Sequence, residues 1–337
     1  MSDGQSILLT GGSGYVGSHT YVALVQAGFK PYILDNFSNS KKNVVERLER
    51  ITGLPVPWHE GDTRDVSLLQ EIIVKNDIAA VIHFAGFKSV SESVANPLKY
   101  FDNNLAGMIG LLKAMENSAC RTLVFSSSAT VYGDPIEIPI TEKSPKNFSN
   151  PYGYTKIVCE EMLASLSVSN TQWRNGVLRY FNPVGAHPSG LIGEDPSGPP
   201  NNLMPYLAQV AVGKLPILNI YGNDYPTPDG TGVRDYIHVQ DLAEAHVAAL
   251  KTLFKTGSGF TVNIGTGRGY SVMDVVYEFE IACGKSIPYQ FVERRSGDIA
   301  VCYADATLAK NLLNWNAKLS LTDMCIDSWR WQSNDFS

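Results

Sequence analysis

A glycine-rich segment near the N-terminus constrains the fold more than any other feature of this sequence. It is T-G-G-S-G-Y-V-G, from Thr10 to Gly17, and it directly follows the apolar run ILLT. Its glycines are spaced as Gly12-x-Gly14-x-x-Gly17 and also as Gly11-x-x-Gly14-x-x-Gly17. Glycines let the chain turn sharply and bring backbone N–H groups against a pyrophosphate at a helix N-terminus. The context favours the first β-α-β unit of a dinucleotide-binding fold over an ordinary glycine turn.

Short apolar runs and helix-like stretches alternate through the first half of the chain. The alternation predicts a parallel sheet covered on both faces, that is, an α/β fold with a Rossmann-type doubly wound sheet. The predicted strands have the sequences ILLT, PYILD, VPWHEGD, AAVIHFAG, RTLVFSSS and NGVLRYFN. The predicted helices extend to Gly28, over 43–52, over 66–76, within 94–119 and over 152–168.

The composition changes after Asn182. The stretches 185–205 and 221–232 are rich in Gly, Pro, Asn and Ser and predict long loops, and loops of this length inside a domain are usually functional. Further on, Ser271 is predicted to cap a helix that stops at Gly284.

The 337 residues suffice for one large domain or about two ordinary ones. We expect an NAD-binding domain of residues 1–181 with a return segment at about 237–264. Residues 182–236 and 265–337 would then form a smaller α/β substrate lobe at the C-terminal side.

Asp35 closes the second predicted strand, about twenty residues beyond the glycines. A carboxylate there accepts hydrogen bonds from both ribose hydroxyls and repels a 2′-phosphate, which favours NAD over NADP. Asp35 could instead cap a turn in the sequence DNFS, and Lys41 and Lys42 follow closely.

Tyr152 and Lys156 are four residues apart on a predicted helix and therefore lie one above the other. A phenol has a pKa of about 10 and is a poor base near neutral pH. A cation ~4 Å away contributes roughly 4 kcal/mol at an effective dielectric constant of 20, so a tyrosinate base is physically reachable. The alternative is an exposed Tyr–Lys pair on a solvated helix face.

Ser126, Ser127 and Ser128 end the predicted strand RTLVFSSS. Ligands bind at the carboxyl ends of parallel strands, where a serine hydroxyl can bond the substrate oxygen that loses its proton to Tyr152. The alternative is a polar strand end that satisfies the backbone of the next loop.

Composition excludes several other classes of function. Lys plus Arg is 27 against 33 Asp plus Glu, and the net charge of −6 disfavours binding of nucleic acid. Five cysteines without a CxxC motif indicate free thiols and a cytoplasmic location. The N-terminal sequence lacks the features of a signal peptide, and no apolar run approaches the ~20 residues that span a membrane. The six histidines lack metal-site spacing, and His83 is expected to be a satisfied core histidine.

Seven segments then occur in order over nearly the whole chain: TGGSGYVGSHT, FSSSATVYG, NPYGYTK, LRYFNPVGAHPSG, NNLMPY, DGTGVRDYIHV and RRSGD. As an ordered set they closely resemble the UDP-galactose 4-epimerase family of the extended short-chain dehydrogenases/reductases. The resemblance implies reversible C4 epimerisation of UDP-hexoses in a homodimer. Tightly bound NAD would take a hydride from C4 and return it to the other face of a transient 4-keto sugar.

The resemblance also implies roles for individual residues. Tyr152 would be the base, Lys156 would lower its pKa and bind the nicotinamide ribose, and Ser128 would bind O4. The positions that match NAD contacts are Gly11, Gly14, Tyr15, Val16, Gly17, Asp35, Asn36, Asp62, Phe84, Lys88, Asn103 and Phe181. The positions that match contacts to the UDP-sugar are Asn182, Asn202, Leu203, Tyr221, Arg234, Arg295 and Asp298.

Cys302 stands where some members of this family have a bulky tyrosine beside the sugar. The resemblance implies that a small residue there leaves room for a C2 acetamido group. We therefore hypothesise activity on UDP-GlcNAc and UDP-GalNAc as well as UDP-glucose and UDP-galactose. Tyr303 could fill the space instead, or Cys302 could be a buried small apolar residue.

Three other functions stay open at this point. A nucleotide-sugar 4,6-dehydratase would need an Asp–Glu pair where this chain has Ala129 and Thr130. A UDP-uronate epimerase or decarboxylase fits the loop motifs less well. A non-catalytic NAD sensor would be expected to lose the Tyr–Lys pair, which this chain keeps.

Overall fold

The apolar runs of the first half form the strands of one central sheet. The computed structural model describes residues 4–196, 198, 200, 202–295 and 297–334. Residues 1–3 and 335–337, at the outer ends of the two predicted domains, therefore lie outside the described residues. The strands are β1 (Ser6–Thr10), β2 (Lys30–Asp35), β3 (Trp58–Glu60), β4 (Ile78–His83), β5 (Thr122–Ser128), β6 (Arg174–Tyr180), β7 (Asn182–Val184), β8 (Leu218–Tyr221), β9 (Val233–Arg234), β10 (Tyr236–His238), β11 (Phe260–Ile264), β12 (Tyr270–Ser271), β13 (Tyr289–Val292) and β14 (Val301–Cys302).

Helices follow most of these strands and cover both faces of the sheet. They are α1 (Tyr15–Gln26), α2 (Asn43–Thr52), α3 (Val66–Lys75), α4 (Val90–Ala95), α5 (Pro97–Tyr100), α6 (Gly107–Asn117), α7 (Pro151–Ser169), α8 (Leu203–Ala211), α9 (Val239–Thr256), α10 (Val272–Cys283), α11 (Thr307–Leu313) and α12 (Leu321–Ser333). A π-helical segment spans Phe101–Ala106, and a 3₁₀ turn spans Ala129–Tyr132. Within the described residues, no helix has both the length and the apolar character needed to cross a bilayer.

The central sheet has seven strands in the order β3-β2-β1-β4-β5-β6-β11, and all of its pairings are parallel. This arrangement confirms the predicted doubly wound sheet. The chain extends the sheet in one direction from β1 and in the other from β4, so a crevice opens between the carboxyl ends of these two strands.

Successive residues of a strand alternate between two hydrophobic cores, because side chains point to opposite faces of a sheet. Leu9 of β1 packs in the core beneath α1 and α9, whereas Leu8 packs in the core beneath α3, α6 and α7. A third core joins α8, α10 and α12. In α11, Ala309 and Leu313 belong to the first core, on the side of the central sheet.

The helix predicted within 94–119 is interrupted. Pro97 disfavours helical backbone at the preceding residue, and Asn96 is accordingly extended in φ at −136°. The π-helical segment follows and directs the buried Asn104 inward, where its amide bonds the backbone of Phe87 in both directions at 2.9 and 3.1 Å. The chain is thus helical from Val90, is interrupted at Asn96 and widens into the π-helical segment before α6.

Two other predictions concern local structure in the C-terminal half. Ser271 caps α10 in a reciprocal capping box with Asp274, as predicted, and the helix ends at a left-handed Gly284. The loop predicted over 185–205 is too long at its C-terminal end, because α8 begins at Leu203.

Gly17 lies where α1 approaches the preceding turn most closely. A Cβ on Gly17 would lie 2.5 Å from the carbonyl oxygen of Gly11 and 2.8 Å from the Cα of Gly12. Helix propensity alone predicts that alanine stabilises α1, but this overlap is with backbone atoms that cannot move aside. We expect Gly17→Ala to lower the free energy of unfolding by roughly 1–3 kcal/mol, measured by denaturant titration. Gly198→Ala is the control, since no described atom beyond its chain neighbours lies within 4 Å of the added Cβ. Equal midpoints for the two variants would contradict the prediction.

Candidate active site

A cleft of about 600 Å³, open to solvent, occupies the crevice between β1 and β4. It brings together several of the predicted cofactor residues from four separate parts of the sequence. Those that line it are Gly11, Gly14, Asp35, Asn36, Phe84 and Asn103. Asn103 reaches the cleft from the π-helical segment, which is the kind of local widening that often marks a functional position.

The glycine-rich turn leaves the start of α1 open to this cleft. Gly11 has φ of +71°, and a Cβ there would lie 2.7 Å from the amide nitrogen of Ala85. Gly14 is the N-cap of α1 and supplies no side-chain hydrogen bond to the first helical N–H groups, which include those of Tyr15 and Val16. Unpartnered N–H groups at a helix start favour an anion, so these residues fit the pyrophosphate of a dinucleotide.

Asp35 is buried and accepts three hydrogen bonds at the end of β2. Its Oδ1 accepts from the amide of Phe37 at 2.9 Å and from Ser40 Oγ at 3.0 Å, and its Oδ2 accepts from the amide of Ser13 at 2.9 Å. The turn-capping alternative is therefore realised, and it also ties β2 to the glycine-rich turn. Burial raises the pKa of Asp35 while these hydrogen bonds oppose the rise. A carboxylate has about four acceptor positions, so one remains for a ribose hydroxyl.

Asp62 and Asn36 lie on the outer side of the cleft. Asn36 Nδ2 donates to Asp62 Oδ2 at 3.0 Å, and Arg64 Nε donates to Asp62 Oδ1 at 2.9 Å. Hydrogen bonds from the Arg64 guanidinium lower the pKa of Asp62 to about 2, against a smaller opposing effect of burial.

Lys88 connects the cofactor side to the long loop before α8. Its Nζ lies 5.9 Å from the ring centroid of Tyr15 and donates to Glu194 at 2.7 Å. The same Glu194 oxygen accepts from Asn202 Nδ2 at 3.0 Å, while Tyr15 Oη donates to the carbonyl of Gly185 at 2.7 Å. Glu194 was not predicted; its only signal in the sequence is a carboxylate in a loop rich in glycine and proline.

Ser128, Tyr152 and Lys156 meet where β5 ends against α7. All three are buried, and the Ser128 hydroxyl acts on the Tyr152 phenol as a polar partner that lowers its pKa. Lys156 Nζ donates to the carbonyl of Ser126 at 2.7 Å and lies 5.9 Å from the ring centroid of Tyr152. The fold thus excludes the alternative of an exposed Tyr–Lys pair, whereas Tyr154 on the same helix is 38% exposed.

The pKa of Tyr152 moves in the direction opposite to the sequence-based expectation. Burial raises it to about 12, and the hydrogen bond with Ser128 only partly opposes this. Burial also lowers the pKa of Lys156 to about 8, against the opposing charges of Cys159 and Glu160. The lysine by itself therefore does not make Tyr152 a base near neutral pH, because desolvation disfavours the charged form of both groups.

Short strands of the C-terminal half place three predicted substrate residues side by side. Cys302 of β14 pairs in register with Arg234 of β9. Between them, the amide of Asp235 donates to the carbonyl of Cys302 at 3.0 Å, and its carbonyl accepts from the amide of Asn182 at 3.0 Å. Asp235 was not predicted; its buried carboxylate accepts further bonds from Thr266 and from backbone amides.

Phe181 and Cys302 share a small apolar cluster with Val131, Tyr132, Ile140 and Ala304. Phe181 is buried and Cys302 is half-buried at its edge. Burial raises the pKa of the Cys302 thiol to about 11, so it stays uncharged near neutral pH. The ring of Tyr303 lies by Gly269.

The remaining predicted substrate residues lie at a more exposed edge. The Arg295 guanidinium is 4.7 Å from the ring centroid of Tyr221, and its Nε donates to Asp298 at 2.8 Å. Arg234 and Arg295 both act electrostatically on Tyr225, so their charges converge on one region. Leu203 packs against the third core. The sequence analysis did not single out Tyr225, over whose ring Arg294 lies at 4.0 Å.

His83 is a satisfied core histidine, as predicted. It is buried at the end of β4, and its Nδ1 shares a 2.7 Å hydrogen bond with Thr10 Oγ1. Burial lowers its pKa to about 3, so it is neutral and does not compete with Lys156 for an anion.

Comparisons with known proteins agree with this arrangement. The family model described as GDP-mannose 4,6 dehydratase matches residues 8–328. The chain is 54% identical to UDP-glucose 4-epimerase of Bacillus subtilis (strain 168) over 331 residues, which are 98% of each protein. It is 51% identical to that of Mus musculus over 338 residues, which are 98% of this chain and 97% of the mouse protein.

Solved structures are similar over nearly the full length. UDP-glucose-4-epimerase from Stenotrophomonas maltophila, with bound NAD and formylated UDP-arabinopyranose, superposes with a TM-score of 0.96 at 51% identity and covers 97% of this chain and 98% of its own. The Bifidobacterium longum enzyme, in complex with NAD+ and UDP, gives 0.94 at 49% identity and covers 98% and 99%. This chain therefore belongs to the UDP-glucose 4-epimerase family of the extended short-chain dehydrogenases/reductases.

Proposed function

We propose that this chain is an NAD-dependent isomerase that interconverts UDP-galactose and UDP-glucose. The observation that carries the proposal is the buried grouping of Ser128, Tyr152 and Lys156 at the carboxyl end of β5. Relatives of about half-identical sequence bear the name of this activity over nearly their whole length. NAD, bound in the cleft at the glycine-rich turn, would supply the hydride acceptor and donor for C4.

The chain's own residues supply the proton transfer. Tyr152 takes the O4 proton as the C4 hydride leaves, and returns a proton to O4 when the hydride is added back to the opposite face. Ser128 holds O4 beside the phenol through a hydrogen bond. Lys156 stabilises the phenolate and binds the nicotinamide ribose. Burial disfavours the charged forms of both Tyr152 and Lys156, so the tyrosinate needs a further positive charge beside it, which oxidised nicotinamide would supply when bound.

The other predicted site residues divide between the cofactor and the sugar nucleotide. We assign to NAD the residues Gly11, Gly14, Tyr15, Val16, Gly17, Asp35, Asn36, Asp62, Phe84, Lys88, Asn103 and Phe181. We assign to the UDP-sugar the residues Asn182, Asn202, Leu203, Tyr221, Arg234, Arg295, Asp298 and Cys302. Guanidinium groups suit a diphosphate because they offer paired donors in a fixed plane.

We also propose the domain division and the location of the protein. Residues 1–181 with 237–264 would bind NAD, and residues 182–236 with 265–337 would bind the sugar nucleotide. The third core, which joins α8, α10 and α12, supports a separate substrate lobe. The five cysteines are all free thiols, which supports a location in the reducing cytoplasm.

The proposed reaction needs no added oxidant or reductant. Purified protein without added NAD should convert UDP-galactose to UDP-glucose. Chromatographic separation of the two sugar nucleotides measures the conversion. Tyr152→Phe should lower kcat by roughly 10²- to 10⁴-fold, because the phenyl ring cannot move a proton. Tyr154→Phe on the same helix is the matched control and should keep kcat. A fully active Tyr152→Phe enzyme would contradict the assigned base.

Cys302 supports a broader choice of sugars. It packs at the edge of the cluster that contains Phe181, which does not include Tyr303, and the ring of Tyr303 lies by Gly269. We therefore propose that the enzyme also accepts UDP-GlcNAc and UDP-GalNAc. Cys302→Tyr should abolish epimerisation of the acetamido sugars and retain that of UDP-galactose, whereas Cys302→Ala should retain both. Wild-type protein that ignores the acetamido sugars would overturn this proposal.

We propose that the enzyme is a homodimer joined through the surface around α4, α5 and the start of α7. Large apolar side chains are exposed there: Val90, Val94, Leu98, Phe148 and Tyr154. The rings of Phe148 and Tyr154 lie 4.8 Å apart, so the patch is contiguous in part. An apolar patch of this kind is typical of a subunit interface.

The dimer can be tested with two charged substitutions of equally exposed residues. Leu98→Asp should shift the protein to monomer in sedimentation velocity, because a buried aspartate would lack a partner. Ile281→Asp on α10, where the isoleucine is 74% exposed, should leave the sedimentation coefficient unchanged. A monomeric wild-type protein, or two variants that both stay dimeric, would contradict the proposed interface.

A further inference from the structure

Three consecutive serines at the end of β5 each make a separate link to helix α7. The carbonyl of Ser126 accepts from Lys156 Nζ at 2.7 Å, and the Ser128 hydroxyl acts on the phenol of Tyr152 and lowers its pKa. Ser127, on the opposite face of the strand, donates its hydroxyl to Glu160 Oε1 at 2.6 Å. The proposed function assigns a role to Ser128 alone and leaves the fully buried Ser127 unexplained.

Glu160 is the centre of a buried ionic contact. Arg179 of β6 donates to it twice, from Nε at 2.9 Å and from Nη2 at 2.6 Å. Both side chains are about 95% buried, and Lys146 Nζ lies 3.8 Å from Glu160 Oε2. Removing either partner of such a pair leaves a charge buried without compensation.

Arg179 extends the contact across the sheet. Its Nη1 donates to Tyr132 Oη at 3.0 Å and to the carbonyl of Glu142 at 3.2 Å. Tyr132 in turn donates to Asn263 of β11 at 2.6 Å. Helix α7 is therefore fixed to three strands through one network in which each polar group has a partner.

The spacing along α7 places this network in line with the reacting groups. Glu160 lies four residues after Lys156 and eight after Tyr152, so all three project from one face of the helix. Ser127 and Ser128 are adjacent on β5. Fixing Glu160 to Ser127 therefore fixes how far α7 can slide or rotate relative to Ser128. A buried ion pair contributes little net stability compared with apolar packing, so stability alone does not account for it.

We infer that Ser127, Glu160 and Arg179 are positioning residues for epimerisation, which hold Tyr152 and Lys156 in register with Ser128. The inference rests on the proposed function, since it concerns the geometry of the same proton transfer. A misplacement of about 1 Å can lower a rate by roughly 100-fold. The effect should thus fall on kcat, because these residues line neither the cleft of the glycine-rich turn nor the predicted substrate positions.

The mildest test is Ser127→Ala in the holoenzyme. We expect kcat for UDP-galactose to fall roughly 10- to 100-fold, with KM within about twofold of wild type and the content of bound NAD unchanged. Ser167→Ala is the matched control: it removes a serine hydroxyl that accepts from Asn175 at 3.0 Å, on the same helix but remote from Lys156. Ser167→Ala should keep the kcat of wild type, even if it lowers the melting temperature as much as Ser127→Ala does.

Glu160 provides a second comparison. Glu160→Gln retains an oxygen that can accept from Ser127, whereas Glu160→Ala does not. Glu160→Gln combined with Arg179→Met removes both charges of the buried pair. This double variant should recover most of the kcat that Glu160→Ala loses. Wild-type kcat in Ser127→Ala, or equal losses of kcat in Ser127→Ala and Ser167→Ala, would overturn the inference. An inactive wild-type protein would overturn the proposed function itself, and the inference with it.

Discussion

The carboxyl ends of parallel strands all lie at one edge of the sheet, and the site depends on this constraint. Each strand must be reached by a helical crossover, so chain segments far apart in sequence return to the same edge. Thr10, Asp35, His83, Ser128 and Tyr180 are the last residues of five neighbouring strands. The switch between β1 and β4 opens the cleft, and β5, the next strand, carries Ser128 to its side.

Burial then decides the chemistry that these residues can perform. Water is excluded from Tyr152 and Lys156, which raises the pKa of the phenol and lowers that of the ammonium group. The same low polarity strengthens electrostatic interactions between nearby charges. A cation placed against the phenol would therefore lower the pKa of the phenol strongly. Glu160, one helical turn from Lys156, opposes part of the fall in the pKa of the ammonium group, while its own charge is compensated by a buried ion pair with Arg179.

The C-terminal half holds its predicted substrate residues in place with little regular structure. Its strands β9, β12 and β14 have two residues each and would not persist alone. Asp235 links them to the segment that follows β11 of the central sheet. Its buried carboxylate accepts hydrogen bonds from the amides of Thr266, Gly267 and Ala304. Loops can hold a substrate in a defined geometry when buried polar contacts of this kind replace extended sheets.

The sequence by itself determined the fold class and the parallel sheet, and it predicted the site residues that we propose. Strand–helix alternation, the glycine spacing and the Tyr152–Lys156 pair are local patterns, and local backbone preferences and side-chain periodicity fix them. The break at Pro97 and the π-helical segment escaped prediction, because Asn104 is held inward by contacts with Phe87, which lies 17 residues earlier and outside the helix. Only the tertiary structure joined Lys88 to Asn202 through Glu194 and Ser127 to Glu160 and Arg179. It also decided that desolvation outweighs the lysine charge at Tyr152, because burial is a property of the packed chain and not of any segment.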